Sequence, residues 1–167
     1  EKLDTGPICN SYKIEITDND NAETISEKLS ALAAEKILDN IDEILDDKIE
    51  FKDQNHNEAS YAAKIKKTEG QIKWNETAES IIGKINGLYS RPGAFFIHKG
   101  ERYKILKAKL TSSSGKIGEV LDNYLEISCG NKKSIKVLEI QRQGKRPQNI
   151  SEFMLGSQIK KGSNLSN

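Results

Sequence analysis

The sequence predicts an α+β fold: an acidic first part with one long helix, then an OB-like five-stranded β-barrel with a preceding helix and a short terminal helix. Three observations predict it. Apolar residues recur at spacings of three and four over 21–45, the pattern of one helix face. Five short β-like stretches separated by turn chemistry follow between 94 and 141. Charge then divides the chain: residues 1–60 carry 6 Lys and no Arg against 16 Asp and Glu, a net of −10, whereas residues 61–167 carry 20 Lys and Arg against 9 acids, a net of +11.

A chain of 167 residues is long enough for one domain and part of another. The overall charge of +1 hides the division, which points to a polyanion partner for the second part. The sequence has no apolar run of about 18 residues and no secretory leader, so a soluble, cytoplasmic protein with no membrane contact is expected, and a monomer. Cys9 and Cys129 lie far apart, without CxxC spacing and with only His56 and His98 to join them. Two free thiols are expected, and no metal.

The opening holds a turn, Asp4-Thr5-Gly6-Pro7, then alternation at Tyr12, Ile14 and Ile16. Pro7 donates no ladder hydrogen bond, so a strand is expected after it. Asp-Thr-Gly is also the active-site turn of aspartic proteases, but Pro7 follows it here and no apolar strand precedes Asp4. Over 21–45, Ile25, Leu29, Leu32, Ile37, Leu38, Ile41 and Leu45 make the buried face of a packing helix, with Asp20 and Glu23 as a capping box. Residues 46–60 lose periodicity and read as a linker, with His56 a solvated loop residue.

A second helix is expected over 76–88, with Asn75 as its cap and Ile81, Ile82, Ile85 and Leu88 as its stripe. Trp74, just before it, suits packing better than base stacking because of the area it buries. Strands are expected at 94–98, 102–110, 116–121, 124–128 and 134–141, then a basic loop at 141–147 and a helix over 150–155 capped by Asn149. The tail from 159 onward should fray.

The most specific pattern runs from Tyr61-Ala62 through Lys64-Ile65, Glu69, Ile72 and Trp74 to Ala78, Ile81 and Ile85, and ends on Pro92-Gly93-Ala94 with Phe96. With LDTGPI at 3–8 and FMLGSQIKKGSNL near the end, it resembles the methionyl-tRNA formyltransferases. The resemblance spans nearly the whole chain, though Ser90 stands where that family has a Pro. It implies that residues 1–45 are the tail of an α/β formyltransferase domain, 46–68 a linker, and 69–167 an OB-like tRNA-binding domain. It further implies formyl transfer from 10-formyltetrahydrofolate to initiator methionyl-tRNA, with Asp4 matching the carboxylate of the family's Asn, His and Asp constellation. The Asn and His would lie outside this chain, which alone should be inactive. Two alternatives stand beside it: a formyltransferase with another amine substrate, and a stand-alone OB-like nucleic-acid-binding module.

For phosphate contacts the basic part offers Lys64, Lys66 and Lys67, then Arg91, Arg102, Lys104 and Lys107, and in the loops Lys132, Lys133, Arg142, Lys145 and Arg146. Their weight is collective, since any one surface Lys is ordinary.

Overall fold

The computed structural model describes residues 3–166. It divides into two compact units, Glu1–Lys64 and Ile65–Asn167.

The first unit is built on α1, Ala22–Leu45. Asn21 caps it: its side chain accepts from the Glu23 and Thr24 amides, and the Thr24 hydroxyl accepts from the Asn21 amide. The expected cap, Asp20, lies one residue too early. Its carboxylate instead accepts from Thr17, Thr24 and Lys28, the last at 2.7 Å, which holds its pKa far below the usual range. The apolar stripe is present, yet no residue of α1 is buried: Leu29, Ile37, Leu38 and Leu45 are all exposed. No strand forms at Tyr12, Ile14 and Ile16. Instead Ile8 and Lys52 exchange backbone hydrogen bonds of 2.8 and 2.9 Å, and the Gln54 amide donates to the Asp4 and Gly6 carbonyls. The stretch read as a linker therefore returns along the opening turn, with His56 exposed in a 3₁₀ turn at His56–Glu58.

The second unit holds the core. A 3₁₀ turn, Lys67–Gly70, leads to α2, Ala78–Gly87. Thr77 rather than Asn75 caps α2, its hydroxyl accepting from the Ser80 amide. Both residues are cap formers, and Thr77 stands at the position where the chain turns helical. Then come β1 (Ala94–His98), β2 (Glu101–Thr111), β3 (Glu126–Ser128), β4 (Ser134–Arg142), β5 (Gln148–Asn149) and α3 (Ile150–Gly156). The antiparallel sheet runs β1-β2-β4-β3, with β5 beside β4. Thus β4 carries β2 along one edge and divides its other edge between β3 and β5.

Closure into a barrel is not seen: among the described residues no ladder joins β1 to β3. The stretch 116–121 is the reason. Gly118 turns left-handed at φ 76°, and the segment makes only isolated bridges, Glu119 to Asn164 and Val120 to Ile127. Nor does the tail fray. Val120 exchanges backbone bonds with Ser163 and Gly162, Leu165 donates to Gly118 at 2.8 Å, and Ile159 and Leu165 are buried.

Four aromatic rings cross the core in sequence: Trp74 edge-on to Phe96 at 5.8 Å, Phe96 stacked on Tyr103 at 5.3 Å, and Tyr103 edge-on to Phe153 at 5.9 Å. Around them Ile81 and Ile85 of α2 meet Ile105, Ile127, Ile135, Val137 and Ile140 of the sheet. Trp74 is thus a core residue. This order fixes what the sheet presents outward, since neighbours along a strand face opposite sides.

Candidate nucleic-acid interface

The β1–β2 hairpin turns through Lys99 and Gly100, both at positive φ, as a two-residue turn requires. The turn sets Ile97 opposite Arg102, Phe96 opposite Tyr103 and Phe95 opposite Lys104. Phe96 and Tyr103 enter the core, so Phe95, Ile97, Arg102 and Lys104 share the outer face. The Arg102 guanidinium lies over the Phe95 ring, 3.7 Å from its centroid. The Lys104 ammonium reaches the Ser90 carbonyl at 3.3 Å, beside Arg91. Partial burial lowers the Lys104 pKa, and the Arg102 and Arg91 charges lower it further. A cleft of about 330 Å³ opens here, lined by Arg102, Lys104, Gln141, Arg142, Gln143 and Gly144.

Arg142, Lys145 and Arg146 line a second cleft of about 590 Å³, together with His98, Lys99, Tyr103 and α3. Arg142 is partly neutralised there by Glu101, which also accepts from the Tyr103 hydroxyl and is held below the usual carboxylate range by both. Burial pushes the Tyr103 phenol up to about 12. His98 has its pKa lowered, first by burial and then by Lys99, and its Nε2 is buried without a hydrogen-bond partner among the described residues.

The structure does not gather all twelve cations. Lys132 and Lys133 sit on the turn before β4, whereas Arg142 ends that strand of nine residues, a run of about 30 Å. Lys133 is also paired with Glu79. Lys107 is exposed at an irregularity in the β2–β4 register. Lys66 and Lys67 are exposed on the segment that runs to the β1 edge, where Gln71 pairs with Phe95. Lys64 is exposed and closes the first unit. Asp4, also in that unit, is exposed at φ 58°.

Sequence reasoning missed Phe95, Gln141 and Gln143. The two-residue Lys99-Gly100 turn carried the needed signal for Phe95, because it fixes the register that brings Phe95 to Arg102. The glutamines had none, since nothing local ties them to β2. Among the described residues no group of three or more His, Cys, Asp or Glu side chains is placed to hold a metal ion, and no helix is long and apolar enough to cross a membrane.

Residues 64–158 match the family described as formyl transferase, C-terminal domain. The chain is 68% identical over all 167 residues to the methionyl-tRNA formyltransferase of Pelagibacter ubique, 54% of whose length it covers. It thus spans about half the length of the curated relatives it matches. In fold it is similar to HypX from Aquifex aeolicus in complex with tetrahydrofolic acid, at a TM-score of 0.70 and 16% identity, covering 96% of this chain and 30% of that one. It is also similar to the N-formyltransferase from Helicobacter canadensis in complex with folinic acid and dTDP-3-aminofucose, at a TM-score of 0.63 and 23% identity, covering 84% and 52%.

Proposed function

The chain belongs to the formyl transferase C-terminal domain family, and on that premise we propose that it is the tRNA-binding half of a methionyl-tRNA formyltransferase. The identity of 68% over the whole chain to such an enzyme carries the reading; likeness to the sugar-nucleotide enzyme stops at 23%. Its partner is initiator methionyl-tRNA, met in the cytoplasm by a monomer. The second unit is read as an OB-like domain whose fourth strand takes three neighbours, with residues 46–68 as linker after a catalytic-domain tail at 1–45.

In the reaction the methionyl amino nitrogen attacks the formyl carbon of 10-formyltetrahydrofolate, the bond from that carbon to N10 breaks, and the amine loses a proton. Asp4 is the residue of this chain assigned to the reacting atoms, as the carboxylate that raises a neighbouring His pKa. Most of the donor's site is assigned outside these residues, and no metal is invoked.

The test is tRNA binding by the purified chain at several salt concentrations. Release of counterions from roughly three to six phosphates gives a slope of about −2 to −5 in log affinity against log salt. Binding of a nucleotide-linked amino sugar without binding of tRNA would move the chain to the alternative substrate class. In the full-length protein Asp4→Asn should lower turnover by orders of magnitude at unchanged tRNA affinity. Turnover within a few-fold of wild type would leave Asp4 a turn residue.

A further inference from the structure

Several cations of the second unit are committed to acids. Lys84, Lys133, Lys136 and Arg142 are paired with Glu76, Glu79, Asp122 and Glu101. Arg91, Arg102 and Lys104 differ, because among the described residues none of them has an acid within ion-pair distance. They are also close enough that Lys104 feels both arginines. Three like charges held together without a counterion are unfavourable by themselves and become favourable around an anion.

Arg102 adds direction to that charge. Its Nε is buried with no hydrogen-bond partner among the described residues, an orphan donor on a residue that presents five. Its plane is held against Phe95, so the fork loses little rotational freedom when it closes on a ligand. Lys104 is tethered by the Ser90 carbonyl, and Gln143 and Gln141 line the same cleft, the Gln141 Nε2 donating to the Lys145 carbonyl at 2.9 Å and leaving its Oε1 to accept from a sugar hydroxyl.

We infer that Arg102, oriented by Phe95 and flanked by Lys104 and Arg91, forms a discrete site for one phosphodiester of an RNA backbone on the outer face of the sheet. The inference rests on the tRNA reading and sharpens it: this one contact is geometric, and the remaining basic residues supply unspecific charge. Phe95 is a positioning residue that acts through the arginine.

The test compares Arg102→Lys, which keeps the charge and removes the fork, with Lys132→Ala at the far end of β4, using tRNA and the whole chain at fixed salt. Arg102→Lys should weaken tRNA by about tenfold or more with an unchanged salt slope, because geometry and not charge is lost. Lys132→Ala should change affinity by less than about threefold and make the slope shallower. Phe95→Leu, checked for an unchanged melting temperature, should follow Arg102→Lys, and if its melting temperature falls, Phe95→Tyr should instead retain wild-type affinity. In a second arm, inorganic pyrophosphate should shift the Arg102 Nε–H resonance in wild type. Wild-type tRNA affinity that survives Arg102→Lys within twofold would overturn the inference and leave the tRNA reading intact. Pyrophosphate binding without tRNA binding would overturn both.

Discussion

The two units use similar apolar residues to opposite ends. In the second, Ile81, Ile105, Ile127, Ile135, Val137 and Ile140 are withdrawn from water almost completely. In the first, Leu29, Ile37, Leu38 and Leu45 recur at helical spacing on a helix with no buried residue. Periodicity establishes that a helix forms and which side is apolar, not what covers that side. The second unit is therefore stabilised by burial at about 25 cal/mol per Å² of apolar surface. The first relies on hydrogen-bonded devices: the Asn21 cap, the Asp20 network and the long-range Ile8–Lys52 bridge.

Hydrogen exchange is the widest test of that contrast. Amides in β2 and β4 should open only with global unfolding, and those of α1 should open locally, so their protection should differ by ~10³-fold or more. Equal protection would show the two units to be one cooperative body.

Single truncations sharpen the same point. Ile135 is fully buried and its removal leaves a cavity, so Ile135→Ala should cost about 2–5 kcal/mol in chemical denaturation. Leu38 is 76% exposed, and Leu38→Ala should stay within about 0.5 kcal/mol. A large Leu38 effect would mean that the stripe is covered in solution.

The unequal legibility of the sequence has the same origin. Strands β1, β2 and β4 and all three helices follow from alternation, periodicity and turns, which are local. The tail was misread because Ile159 and Leu165 stand six residues apart among Lys, Gly, Ser and Asn, with no period to betray their burial. The stretch 116–121 reads as a strand because turn-forming segments bound it, yet Gly118 turns it to meet that tail, a choice made by tertiary contacts. At the proposed interface, residue types in the sequence named Arg91, Arg102 and Lys104. Which cations acids would neutralise required the fold, since Arg142 meets Glu101 and Lys133 meets Glu79 from distant positions.

Tyrosine ionisation probes the contrast by pH. Tyr12 and Tyr61 of the first unit are exposed, whereas Tyr103 is 7% exposed and its phenol is raised from 10 to about 12, by burial first and then by Glu101. The folded state therefore keeps the Tyr103 proton after the unfolded chain has released it. Stability is full below pH 10 and falls as pH rises towards about 12, a loss of about 3 kcal/mol. Absorbance at the phenolate band should show a late tyrosine step, and Tyr103→Phe should remove both that step and its share of the alkaline loss.

The smallest effect belongs to the cap of α1. Asn21 accepts from the amides of Glu23 and Thr24 at 2.9 and 3.0 Å, satisfying donors that the first helical turn cannot pair internally. Asn21→Ala should cost about 1 kcal/mol. In a helix anchored by a buried face, that loss would be absorbed into the global transition and read only as a lower midpoint. Here α1 has no such face, so the change should appear locally, as faster exchange of α1 amides and a weaker helical signal, while the main unfolding transition of the second unit stays in place. A shift of that main transition by the full amount would show that α1 unfolds together with the sheet, and the division into a packed unit and a locally held one would fail.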